Sequence, residues 1–149
     1  IKFLGYSLGV SGLVEELFKF LPFLIIVFKF KDFDERIDGI IYASTIALGF
    51  ASFENINYLK YMAGFQLFGR AFASPLTHTI FSSIWGYTVG TAQIKKKSIW
   101  KSSLIGIVIA ALVHGIFNFL TVSSALRVVG ALLILVFWLW RIRIMEKNE

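Results

Sequence analysis

Apolar residues run through this chain in five long stretches, separated by short polar or charged breaks. Each stretch is long enough to cross about 30 Å of hydrocarbon, which takes roughly 20 helical residues. The pattern predicts helices over 4–29, 38–62, 70–93, 99–120 and 124–143. Lys31-Asp32-Phe33-Asp34-Glu35-Arg36 reads as a charged turn, Gly64 and Gly69 flank a short connection, and Pro75 falls in the first turns of the third helix. Lys95-Lys96-Lys97 and Thr121-Val122-Ser123-Ser124 mark the remaining breaks. There is no internal repeat and no low-complexity linker. The expected fold is therefore all-α, a polytopic transmembrane helix bundle of about five spans, with residues 1–149 forming one domain.

Five ionisable groups interrupt the apolar stretches: Glu15, Glu16, Glu54, His78 and His114. A charge near the bilayer centre costs about 2.5–3.5 kcal/mol on insertion scales, so such residues usually face a protein interior and mark a functional site. At 1.5 Å per residue, Glu15 lies roughly 16 Å from its helix end, Glu54 roughly 13 Å, His78 about 12 Å and His114 about 10 Å, all measured from the same side. Four helices thus place a polar group in one layer.

Composition supports the membrane reading. The chain has 149 residues, 57% of them hydrophobic, with 16 phenylalanines and two prolines. A soluble domain of this length carries more charge and shorter apolar runs. The absence of cysteine excludes disulfides and thiolate chemistry. The net charge of +6 is not gathered into a groove, which argues against nucleic acid as a partner and leaves the lipid bilayer as the expected surroundings. Lys29, Lys31, Arg36, Lys95, Lys96, Lys97, Lys101, Arg141, Arg143 and Lys147 fall on one side, and Lys2, Lys60, Arg70 and Arg127 on the other. Cytoplasmic loops carry the excess of Lys and Arg, so the first group is expected inside. This gives a multi-pass cell-membrane protein with its N-terminus outside, its C-terminus cytoplasmic and the polar layer in the outer half. Trp138 and Trp140 beside Arg141 fit an interfacial belt. The last helix has no ionisable residue in its middle and is expected to serve packing or to face lipid. Glu15, Glu16 and Lys19 in the first stretch argue against a cleavable signal. The chain opens on Ile1 instead of Met, which leaves room for preceding residues and spans.

The polar residues group into four motifs. Glu15-Glu16-Leu17-Phe18-Lys19 places Glu15 and Lys19 four apart on one face, where the lysine can neutralise a carboxylate. Two adjacent carboxyls in hydrocarbon repel one another, so that one stays protonated while the other acts as a base. A buried ion pair that only fixes helix packing is the plainer reading, though it does not require the second carboxyl. Glu54-Asn55-Ile56-Asn57-Tyr58 puts Glu54 and Tyr58 on one face, with no basic partner in the same turn. For Asn55, Asn57 and Tyr58, interhelical hydrogen bonding is the alternative to a direct role. Thr77-His78-Thr79, with Gly86 eight residues on, and His114-Gly115-Ile116-Phe117-Asn118 complete the set. The small residues Gly49, Ala51, Ser52, Gly106, Ala110, Ala111 and Gly115 are expected to let the second and fourth helices pack closely around the site.

Taken in order over roughly residues 10–120, Glu15-Glu16-x-x-Lys19, Phe53-Glu54-Asn55-x-x-Tyr58, His78 with Gly86, and His114-x-x-x-Asn118 resemble the PrsW family of intramembrane proteases. That family is similar in turn to the CAAX-processing and bacteriocin-protection proteases. The resemblance implies glutamate-dependent hydrolysis of peptide bonds within the membrane, without a covalent intermediate. By this resemblance Glu15 with His78 activates water, His114 and Asn118 bind the carbonyl oxygen, Glu16 orients the site and Glu54 assists. Lys19, Asn55 and Tyr58 support these groups. The wider CAAX-type pattern has arginine where this chain has Phe20, and phenylalanine where it has Ser74. Both departures favour the PrsW branch, whose implied substrates are single-pass membrane proteins such as anti-sigma factors, cut near their extracytoplasmic side. No cofactor is expected on this reading.

Other chemistries compete. Two histidines and a glutamate suit a zinc protease, although no HExxH spacing is present. His78 and His114 could ligate a b-type haem, and intramembrane Glu and His serve as relays in proton-coupled transporters. The absence of an inverted repeat counts against transport.

Overall fold

A computed structural model describes residues 2–29 and 33–147. Lys31 and Asp32, the start of the expected charged turn, lie outside these. The described residues are helical with short connections, and no strand occurs among them. The elements are α1 (Lys2–Tyr6), a π-helical segment (Ser7–Val14), α2 (Glu15–Lys29), α3 (Arg36–Tyr58), α4 (Gly64–Ile94), α5 (Ile99–Val122) and α6 (Arg127–Glu146).

The first stretch departs from an ordinary α-helix. Tyr6 and Glu15 border the π-helical segment, and both keep right-handed helical dihedrals, so α1, this segment and α2 form one rod. Wider π turns recur at functional sites, and here the segment delivers Glu15 and Glu16 as the first residues of α2. A pattern of apolar positions does not distinguish a π turn from an α turn, so the sequence gives no warning of it.

Local chemistry sets the other boundaries. The Asp38 carboxylate accepts the backbone N–H of Asp34 (3.0 Å) and Glu35 (2.7 Å), which starts α3 just after the charged turn. Gly64 opens α4 at φ +58°, a left-handed conformation that glycine adopts without strain. α4 therefore starts six residues before the expected position. Gly69 and Pro75 lie within it instead of before or at its start. Apolar helices tolerate interior proline where neighbours satisfy the freed backbone groups. Ser98 caps α5 by accepting the Lys101 N–H. Leu126 and Arg127 both donate backbone N–H groups to the Ser123 carbonyl in the turn before α6.

α4 is the central helix, with α3 packed along one side and α5 along another. The core joins Phe20, Phe23, Ile84, Trp85, Val89 and Ile107, and Trp85 meets Phe20 and Phe23 edge-on with ring centroids 5.3 and 4.8 Å apart. Close packing runs through α4 and the π-helical segment. α3 and α4 meet at Gly39 and Gly86, where a Cβ on either residue would strike the other's carbonyl oxygen. α5 meets the π-helical segment, where a Cβ on Gly12 would strike the Ala111 carbonyl and one on Gly115 would lie 2.7 Å from Ser7 O. Gly49 has nothing within 4 Å. The small residues thus bring each helix against its neighbour in the bundle.

α5 and α6 are long and apolar enough to cross a membrane, with hydropathies of 2.2 and 2.0. Among the residues of α6 only Gly130 is fully buried, in keeping with a peripheral helix. Arg141 of α6 donates its Nη2–H to Ser44 Oγ of α3 (2.9 Å).

Candidate active site

The polar groups of α2, α3, α4 and α5 converge on one hydrogen-bonded network. Glu16 is its anchor and is fully buried. Its Oε1 accepts from Lys19 Nζ (2.6 Å) and His114 Nδ1 (2.9 Å). Its Oε2 accepts from Ser82 Oγ and Trp85 Nε1, both at 2.9 Å. An ionised carboxylate offers about four acceptor sites, so Glu16 has little capacity left for chemistry. A buried carboxylate with all its acceptor sites used fixes the geometry of its partners.

Lys19 is equally buried and joins the two halves of the network. Its Nζ lies 2.6 Å from Glu16 Oε1 and 2.8 Å from His78 Nδ1, with the Phe50 ring centroid at 4.8 Å. An ammonium group donates and cannot accept. His78 Nδ1 is therefore the acceptor, and Nε2 carries the proton that is donated to Glu54 Oε2 (3.0 Å). Glu54 Oε1 binds Arg70 Nη2 at 2.8 Å, and the Arg70 guanidinium lies 3.5 Å from the centroid of the Tyr58 ring. On the other side, His114 gives its Nδ1–H to Glu16, which turns Nε2 towards Glu15 Oε2 at 3.8 Å. The two imidazoles meet edge-on with centroids 5.0 Å apart, and Phe81 stacks on His114.

One pairing differs from the one the sequence suggests. Lys19 pairs with Glu16 three residues back, and not with Glu15 four residues back. Glu16 points into the bundle towards Ser82 and Trp85, whereas Glu15 turns to the cavity and keeps about 20% of its side chain exposed. Glu15 Oε2 is nonetheless buried and makes no hydrogen bond among the described residues. His114 Nε2 is the ring nitrogen 3.8 Å from it, and His78 offers a ligand atom within 4.8 Å of both. Glu15, Glu54, Arg70, His78, His114 and Asn118 line a cavity of about 860 Å³ that also takes in Tyr58. Asn55 does not line it, and its Oδ1 is buried without a hydrogen bond among the described residues.

Sequence reasoning missed three members of the network. Arg70 counts only towards topology in the apolar pattern, at the first position of the expected third helix, whereas α4 carries it about one turn and a half inside. Ser82 and Trp85 draw no reading from the sequence. A signal was present in Arg70, Ser74, His78, Ser82 and Trp85, which recur at three- and four-residue steps and so mark one side of a helix.

The helical fold gathers glutamates and histidines on one cavity wall, and the comparisons with known proteins name the family. Residues 2–141 match the family described as "PrsW family intramembrane metalloprotease", and the chain belongs to that family. It is 34% identical over 140 residues to a protein named Protease PrsW from Oceanobacillus iheyensis, covering 93% of this chain and 65% of that one. Proteins of the same name from Bacillus subtilis and Clostridioides difficile are each 32% identical, covering 87% and 93% of this chain and 60% of their own lengths. The chain thus spans between 60% and 65% of these relatives. No solved structure matches it.

The family description names a metal, and the donor set here fits one. Glu15, His78 and His114 each offer a ligand atom within 4.8 Å of the others. Two histidines and a carboxylate are a common catalytic zinc set. The Glu16–His114 contact is the carboxylate–histidine support that orients such ligands, and the orphaned Glu15 Oε2 is a donor with no other use. His78 joins the set only by exchanging its Glu54 contact, since both of its nitrogens are engaged.

Proposed function

We propose that this chain is the catalytic unit of an intramembrane endopeptidase that cuts membrane proteins near their extracytoplasmic side. The observation that carries this reading is Glu15 Oε2, buried at the cavity wall without a hydrogen bond and 3.8 Å from His114 Nε2. A water held between these atoms would lose its proton to Glu15 as its oxygen attacks the scissile carbonyl. Asn118, one turn along α5 from His114, would bind the developing oxyanion. Glu15 would then deliver that proton to the leaving nitrogen, while His78 Nε2–H stays on Glu54 and holds that carboxylate in place. Glu16 and Lys19 keep the two imidazoles in the required tautomers.

With the five long helices read as spans, the excess of Lys and Arg at the end that carries 29–36 and 95–101 supports an outer position for the cavity. Single-pass proteins such as anti-sigma factors are the substrate class in keeping with that depth. In proteoliposomes, Glu15→Gln is expected to lower cleavage of a membrane-protein substrate by at least ~100-fold, the scale of general-base catalysis, with an unchanged melting temperature. Wild-type turnover in that variant would remove Glu15 as the base.

A metal-assisted form of the same hydrolysis is favoured by the donor set of Glu15, His78 and His114. When bound there, a divalent cation supplies Lewis acidity towards water and carbonyl. Metal analysis of purified protein decides between the forms: stoichiometric metal, lost in His114→Ala together with activity, supports the assisted form, and full activity of metal-free protein excludes it.

A further inference from the structure

We propose that Arg127 selects substrates with an aspartate or glutamate about three residues from the scissile bond, because it lines the same cavity as His114 and Asn118 and no acidic partner meets it among the described residues. This rests on the endopeptidase reading and adds a specificity to it.

Arg127 opens α6 and lines the cavity. Its Nε donates to the Thr121 carbonyl (3.1 Å), which draws the side chain back across the α5–α6 turn. No acceptor or acidic partner meets its terminal guanidinium nitrogens among the described residues. Arg70, the other cation lining the cavity, is already committed to Glu54 and Tyr58. Among the described residues, Glu15 and Glu54 are the acids that share the cavity, and neither pairs with Arg127. Apart from Glu15, Glu16 and Glu54, every acidic residue falls within 32–38 or 146–149. The connection at 59–63 and the turn at 123–126 contain none.

The register follows from α5. His114, Asn118 and Thr121 all line the cavity and mark one side of the helix. Thr121 lies about 10 Å beyond His114 at 1.5 Å per residue. An extended peptide covers that length in about three residues at ~3.3 Å each. A substrate carbonyl held near His114 and Asn118 would therefore bring a side chain about three residues away beneath the guanidinium, on the part of the substrate facing this end of the bundle. A planar guanidinium with two free terminal nitrogens matches a carboxylate in a bidentate pair.

Binding tests this separately from cleavage. The full chain carrying Glu15→Gln is placed in nanodiscs of zwitterionic lipid, and fluorescent peptides with Asp, Asn or Lys at the third position are titrated. The Asp peptide is expected to bind about tenfold more tightly than the Asn peptide, the scale of one charge-assisted hydrogen bond. Adding Arg127→Glu is expected to reverse the order in favour of Lys. Equal affinities for Asp and Asn peptides, or an Asp preference that survives Arg127→Glu, would overturn the proposal. Loss of the preference on adding phosphatidylglycerol would overturn it too, by assigning Arg127 to a lipid headgroup. Asp-selective binding by a wild-type protein that cleaves nothing would uphold the role of Arg127 and remove the endopeptidase reading.

Discussion

At the residue scale, the site separates an anchored carboxyl from one that faces the cavity. Adjacent Glu15 and Glu16 have opposite surroundings: Glu16 accepts four hydrogen bonds, while Glu15 Oε2 accepts none among the described residues. The two substitutions should therefore behave differently. Lys19→Met leaves Glu16 buried without its cation, and breaking such a pair costs about 3–5 kcal/mol. Thermal melting should show a large drop for Lys19→Met and almost none for Glu15→Gln; equal melting temperatures would contradict the division of roles. The sequence allowed these residues to be identified, because charges in hydrocarbon are rare and their depths agree. It did not allow their partners to be assigned. The i,i+4 rule favours Glu15 for Lys19, but the direction each side chain takes depends on α4, which supplies His78, Ser82 and Trp85 to the Glu16 side.

At the element scale, helix positions were legible to within a few residues, since apolar length and charged breaks fix them. The exceptions have physical causes. α4 begins early because Gly64 can take a left-handed turn, and Pro75 is accommodated inside the helix. The π-helical segment leaves the same apolar pattern as an α-helix. Packing partners were not legible, because a small residue signals close approach without naming the neighbour. Gly86→Ala places a Cβ against the Gly39 carbonyl and 2.7 Å from the Ala43 Cβ, so α3 and α4 must separate. Overpacking of this kind costs about 1–3 kcal/mol. Gly49→Ala meets nothing within 4 Å, and alanine is roughly 0.5–1 kcal/mol better than glycine in a helix interior. Melting curves in one detergent should shift in opposite directions for the two variants; a shift in the same direction would refute the packing assignment.

At the scale of the whole molecule, the five-helix order places the cavity at the end that carries the 59–63 connection and the α5–α6 turn. Orientation across the membrane was read from Lys and Arg alone, and the absence of cysteine makes it directly testable. Lys60→Cys in intact cells should react with a membrane-impermeant maleimide, and Lys96→Cys only after lysis. The reverse pattern would turn the cavity to the cytoplasm and exclude cleavage near the extracytoplasmic side. Chemistry is harder to read at this scale than location. The same two histidines and glutamate suit both forms of hydrolysis, and only their hydrogen-bond partners reveal that His114 is set up to accept and His78 to donate.

The most direct test of the central claim, that Glu15 drives intramembrane proteolysis, is a survey of new protein N-termini in membranes from cells expressing the wild-type chain or Glu15→Gln. The account predicts new termini in the extracytoplasmic juxtamembrane parts of single-pass proteins with the wild type, and none of these with the variant. Identical termini in the two samples, with both proteins folded and equally abundant, would contradict it.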